Sequence, residues 1–262
     1  MNKWLLDSEK KSLETYDEES KWNQIHNSGY SIWSVSSDTK LQEKIIFELK
    51  NISHNRILIL GCGSNVSLQN EICERVHDVK EVVCTDFHTP IQIAKEQNNN
   101  KNITYIVMDS RNLIFNEGFD VVININSILS PIDSDNRTMI HSCYTALNNK
   151  GIMIGLFPTV LCIMETESIE RRFNRLKRNL LQNRTYGDLI ERITLSDQLF
   201  YSPLFLRRIF IEKHLQIKNF EIFFFDTYEA KAQAKRYYAI TDEDVLVYEF
   251  FIVAEKMPIT NK

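Results

Sequence analysis

The stretch Arg56–Ser64, RILILGCGS, constrains this chain more than any other. Its apolar run, Ile57–Leu60, is short and ends at a turn, so it reads as a buried strand. The strand feeds directly into Gly61-Cys62-Gly63. Glycine tolerates the left-handed backbone of a tight turn and lets a ligand approach the main chain closely. The whole sequence holds only seven glycines, so two within three positions mark a turn under conformational demand. A second apolar run, EVVCTD, ends in Asp86. One strand leading into a glycine turn and the next ending in an acid point to an α/β fold built on a parallel sheet.

The rest of the chain extends this pattern. Strands are predicted over 57–60, 81–85, 104–108, 119–125 and 152–157, with helices over 69–76, 89–96 and 137–147 between them. Asn148-Asn149-Lys150-Gly151 reads as a helix terminator. Upstream, Asp38 is placed to cap a helix over 39–50, where Leu41, Ile45, Ile46 and Leu49 recur at helical spacing. Residues 1–37 are polar with interleaved aromatics and read as an N-terminal helical lid, leaving 38–262 as the main domain. After Phe157 the alternation breaks. Residues 160–202 read as a charged helical insert without strands, Pro203 opens another helix, and strands over 217–225 and 246–255, separated by a polar stretch, close the chain.

Composition narrows the function classes. A length of 262 residues with 43% hydrophobic content supports one large domain. Lys and Arg number 31 against 35 Asp and Glu, a net charge of −4, which argues against a nucleic-acid partner because phosphate neutralisation needs excess basic charge. No apolar run reaches the ~18 residues of a membrane span, and the start, MNKWLLDSEKK, lacks the apolar core of a signal peptide. Five cysteines form no CxxC pair, so reduced thiols, a cytoplasmic location and no metal site are expected. The sequence leaves the oligomeric state open.

Ligands of open parallel sheets bind beyond the carboxyl ends of the strands. Gly61, Cys62, Gly63 and Ser64 form the turn there. Asp86 is either a helix cap or an acceptor for ribose hydroxyls, and its place at the end of the second strand favours the ribose; Phe87 beside it can flank a base. Asp109 and Ser110 end the third strand, where the carboxylate either caps a turn or accepts from an exocyclic amine. Asn124, Asn126 and Ser127 end the fourth. Asparagine is disfavoured in strands, so Asn126 reads as a polar group facing a ligand. His26 and His88 are possible bases, and Tyr186 and Tyr201 can face a substrate from the insert. Arg171–Arg178 is a basic cluster preceded by acids at pairing distance, and reads as a solvated helix face.

Taken in order, ILILGCGS, VVCTDF, YIVMDSRNL, FDVVININSIL and ALNNKGIMIGLFP resemble the class I S-adenosylmethionine-dependent methyltransferases, from about Leu41 to Glu255. The resemblance implies a Rossmann-like, seven-stranded, mostly parallel sheet closed by a reversed hairpin, with S-adenosyl-L-methionine as cofactor. Gly61 and Gly63 would approach its methionyl part and Asp86 its ribose. Asp109 and Ser110 would lie near the adenine, and Asn126 near the sulfonium. A third glycine is missing; Asn65 and Val66 stand there instead. Tyr16, Tyr30 and Trp33, with Asn126, are the catalytic candidates, because aromatic faces attract a sulfonium, although these aromatics can equally pack on the sheet. The implied activity is methyl transfer to a small molecule. One alternative is cyclisation of S-adenosylmethionine to azetidine-2-carboxylate, since GCGS, CTDF and NSILS also resemble enzymes of that kind. A methyltransferase acting on RNA or protein, or a non-catalytic adenosine-binding subunit, completes the set.

Overall fold

The computed structural model describes residues 17–27, 35–52, 56–162, 192–195, 198–237 and 247–258. Helix α1 (Glu18–Asn27) is followed by α2 (Thr39–Lys50), capped as expected by Asp38, whose side chain accepts from the Leu41 amide at 2.9 Å. The alternating segment then runs β1 (Arg56–Leu60), α3 (Ser67–Arg75), β2 (Glu81–Asp86), α4 (His88–Gln97), β3 (Ile103–Val107), β4 (Phe119–Ile125), α5 (Asp133–Ala146) and β5 (Leu147–Pro158). A hairpin of β6 (Arg192–Leu195) and β7 (Gln198–Tyr201) precedes α6 (Pro203–Glu212), β8 (Leu215–Phe225), α7 (Tyr228–Tyr237) and β9 (Val247–Lys256).

Seven strands form one sheet in the order β3-β2-β1-β4-β5-β9-β8. The pairs among β3, β2, β1, β4 and β5 are parallel, whereas β9 runs antiparallel to both β5 and β8. This is the expected mostly parallel Rossmann-like sheet with its reversed closing hairpin. The order turns back at β1 and β4, and a crevice opens there at the carboxyl edge.

Alternation along β1 supplies both faces of the sheet. Ile57 and Ile59 join a core cluster with Leu41, Ile45, Ile46 and Leu49 of α2; Leu58 and Leu60 join a second one with Met139 and Ile140 of α5 and Ile209 and Phe210 of α6. Each of these α2 side chains is at most 1% exposed, and burying one contributes roughly 1.5–3 kcal/mol. That apolar stripe, more than helix propensity, holds α2 on the sheet. No helix among the described residues is long and apolar enough to cross a membrane.

Several boundaries differ from the sequence reading. The Asn148–Gly151 run does not end the element as a loop; it lies inside β5, which starts at Leu147 opposite Phe119. The Asn148 side chain accepts from the Gly118 amide at 2.8 Å and donates to Asp120 at 2.8 Å, and Lys150 takes a φ of 63°, so an irregular first stretch of the strand is tied to the start of β4. The insert is not purely helical, because β6 and β7 pair antiparallel within it. Leu199, Phe200 and Tyr201 are buried, and the Leu199 amide donates to the Leu129 carbonyl at 2.9 Å. Tyr201 faces no substrate: it is fully buried, donates to the Ile128 carbonyl at 2.6 Å and packs edge-on against Phe157. The polar stretch before β9 contains helix α7. Tyr186 and the basic cluster at 171–178 lie outside the described residues.

Candidate active site

A cleft of about 890 Å³, counted to its open mouth, lies over the carboxyl ends of β1, β2, β3 and β4. Its floor is the glycine turn. Gly61 has a φ of 57° and Gly63 a φ of 68°, both in the left-handed region. A Cβ added at Gly61 would stand 2.2 Å from Ser127 Cβ, so the turn abuts the end of β4 with no room for a side chain. The Cys62 amide donates to the Thr85 carbonyl at 3.0 Å, which carries the β1–β2 pairing into the turn.

Asp86 locks this floor to β2. One carboxylate oxygen accepts from the Gly63 amide at 2.7 Å and the other from the Phe87 amide at 2.7 Å. Burial pushes the carboxyl up to about 6, against the pull of those two amides. Each oxygen keeps acceptor capacity toward the cleft. Asp109 is committed differently. It caps the short turn Ser110–Asn112 and forms a forked pair with Arg111, with Nη2 to Oδ2 at 2.6 Å and Nε to Oδ1 at 3.0 Å. Burial opposes its charge, but the Arg111 hydrogen bonds outweigh that and hold the carboxyl below its usual value.

At the end of β4, Asn126 takes a φ of 49°, and its amide donates to the Leu156 carbonyl at 3.1 Å. Ser127 Oγ donates to the Leu60 carbonyl at 2.7 Å, and Asn124 lies fully buried beneath it. Gly61, Cys62, Gly63, Asp86, Phe87, Asp109, Ser110, Asn126 and Ser127 all line the cleft. Ser64 does not. It is fully buried behind the turn, with its hydroxyl 2.8 Å from His26 Nδ1. Tyr16, Tyr30 and Trp33 lie outside the described residues.

Residues 57–151 match the family profile described as a methyltransferase domain. No protein among the curated sequences matches this chain. Its fold is similar to several solved structures. A SAM-dependent methyltransferase of Methanosarcina mazei aligns at 14% identity over 81% of this chain and 97% of its own, with a TM-score of 0.57. The N-methyltransferase NodS of Bradyrhizobium japonicum, in complex with S-adenosyl-L-homocysteine, aligns at 11% identity over 92% and 99%, with a TM-score of 0.58. The 1,6-didemethyltoxoflavin-N1-methyltransferase of Burkholderia thailandensis aligns at 10% identity over 92% and 87%, with a TM-score of 0.60.

The outer wall of the cleft comes from α1, which places Glu18, Trp22 and His26 along it. These residues are spaced by four and therefore share one helical face. Their stripe is the signal that sequence reading missed, because it mixes an acid, an indole and an imidazole instead of repeating apolar residues. Glu18 is 7% exposed and lies 3.8 Å from Arg111. Burial pushes its carboxyl up to about 7, with Arg111 pulling down and Asp135 and Asp109 pushing up. Burial lowers His26 to about 4, so its ring is neutral at pH 7. The Thr89 amide donates to the Asn23 side chain at 3.2 Å and ties α1 to α4. His88 is exposed at the start of α4 and lies off the cleft wall. Among the described residues, no group of three or more His, Cys, Asp or Glu is arranged to hold a metal.

Proposed function

We propose that this chain transfers a methyl group from S-adenosyl-L-methionine to a small-molecule acceptor. The observation that carries the reading is the joint of Gly63 and Asp86, a left-handed glycine amide held at 2.7 Å by a carboxylate at the wall of a cleft over the sheet edge. The residues fit the cofactor. Gly61 keeps the turn free of a side chain, so the methionyl part can lie against the main chain. Asp86 has acceptor capacity left for ribose hydroxyls. Phe87, Met108 and Ser110 surround the place of the base. Asp109, spent on Arg111, acts there by holding the wall in shape. The match of residues 57–151 to the methyltransferase domain supports the activity, and the small-molecule neighbours support the acceptor class.

The bound cofactor supplies a methyl group activated by an adjacent sulfonium. The chain's own contribution is to bind, orient and exclude water. Holding two reactants in line can remove about 7–11 kcal/mol of barrier without a covalent intermediate. Asn126 stands at the reacting end, and α1 walls the cleft with Glu18, Trp22 and His26. Neutral His26 packs over Gly63, since a Cβ at Gly63 would lie 3.5 Å from its ring.

Incubation with S-adenosylmethionine, read by mass spectrometry, tests the proposal. S-adenosylhomocysteine is expected only when a small-molecule extract is added. Methylthioadenosine released without any acceptor would replace this reading with the cyclase. Measurable binding with neither product would leave a non-catalytic subunit.

A further inference from the structure

A second buried acid lies outside the cleft wall. Glu249 sits in β9, in register with Pro158 of β5 and Phe223 of β8, and is 4% exposed. The reversed direction of β9 brings its first residues to the carboxyl edge of the sheet, beside the end of β4. Glu249 is not part of the cleft wall; it reaches the site only through Asn126. Both carboxylate oxygens lie 2.8 Å from Asn126 Nδ2. A carboxylate can only accept, so it claims the amino end of that amide and leaves the oxygen end facing away. Asn126 Oδ1 is buried and has no hydrogen-bond partner. Buried acceptors are ordinarily satisfied, and an exception next to a ligand cleft marks a place kept for a donor from outside the chain. The main chain agrees, because the left-handed φ of Asn126 and its bond to the Leu156 carbonyl fix where the side chain starts.

We propose that Glu249 is a positioning residue: by taking the amide hydrogens of Asn126, it sets that residue's oxygen as the acceptor for a hydrogen donor at the methyl-transfer position. This rests on the cofactor reading above, which puts the reacting end of the cofactor at Asn126. It also narrows the acceptor class. The nucleophile that meets this oxygen carries an N–H or O–H, as an amine or hydroxyl does. A thioether has no such hydrogen. Burial raises the Glu249 carboxyl to about 7, against the pull of the Asn126 hydrogen bond, so the carboxylate form that can only accept prevails above that pH.

Sinefungin provides the probe, because it carries an ammonium-bearing carbon where the cofactor has its methylated sulfur. S-adenosylhomocysteine has nothing to donate at that position. Calorimetry with both compounds gives a preference for sinefungin that reads the acceptor directly. Glu249→Gln is expected to lower that preference at least tenfold, because a glutamine amide no longer forces the orientation of Asn126. Asn126→Gly, which keeps the left-handed backbone while removing the acceptor, is expected to lower it as much. Thermal unfolding confirms that each variant is folded. An unchanged preference in a folded variant that still binds S-adenosylhomocysteine overturns the proposal. If the wild-type protein binds neither compound, the cofactor reading itself falls, and the assignment of Glu249 falls with it.

Discussion

The two halves of the sheet's carboxyl edge are built on different principles. On the β1–β2 side the hydrogen bonds join neighbouring strand ends. Asp86 accepts from Gly63 and Phe87, and Cys62 donates to Thr85. On the β4–β9 side the pairing is remote. Asn126 and Glu249 are 123 positions apart, and their meeting leaves one amide oxygen without a partner. The first half is a rigid cradle whose shape does not depend on what fills it. The second keeps an unsatisfied group and is completed by its ligand. On the proposed function, binding and selection are carried by different strands.

Gly61→Ala should produce the largest effect, and it tests the rigid half. The added Cβ collides with Ser127 and must adopt a φ of 57°. Overpacking and left-handed strain together are expected to cost about 2–4 kcal/mol of stability, and S-adenosylhomocysteine binding should fall about a hundredfold, by roughly 2.7 kcal/mol. Denaturant unfolding and calorimetry measure the two; a variant of normal affinity would show that the cradle yields. Asp86→Ala comes next. It leaves the Gly63 and Phe87 amides without their acceptor and should weaken S-adenosylhomocysteine binding more than tenfold, by at least ~1.4 kcal/mol. Calorimetry that finds equal affinity removes the ribose assignment.

Acidity gives the smallest effect and compares the halves directly. Glu18 and Glu249 are raised from 4.5 to about 7 and Asp86 from 3.8 to about 6, so the folded chain binds protons more tightly than the unfolded one. Stability from these three groups is complete below the unfolded values and is lost as pH rises toward 7. His26, lowered from 6.5 to about 4, acts in the opposite sense between those two values. The carboxyls outnumber it, so the ligand-free protein should melt at a lower temperature at pH 7.5 than at pH 5. Glu249→Gln should raise the melting temperature at pH 7.5 by about 3–6 °C, with the gain shrinking toward pH 5. A gain that does not depend on pH would show that Glu249 does not titrate as a buried acid.

How far each region could be read from the sequence follows the same division. The turn at Gly61–Gly63 and the acid at Asp86 are tied to strand ends by short-range rules, and the chain spells them out. The alternating strands and the Asp38 cap are legible for the same reason. Glu249 gives no such signal. Its strand is buried on both faces, so in-out alternation is hidden, and its partner lies across the sheet. The β6–β7 hairpin was obscured because the residues joining its strands, Ser196-Asp197, include no glycine and follow a charged stretch. The run Asn148–Gly151 has the composition of a turn, yet tertiary hydrogen bonds to β4 recruit it into a strand.

Helix α1 has a consequence for kinetics. It forms a wall of the cleft but pairs with no strand, and it touches the body of the protein through side chains such as Asn23 and His26. Swinging it aside breaks no rung of the sheet. On the cofactor reading, substitutions along those ten residues are expected to change the off-rate of S-adenosylhomocysteine more than the fit of the cradle below, as stopped-flow release would measure.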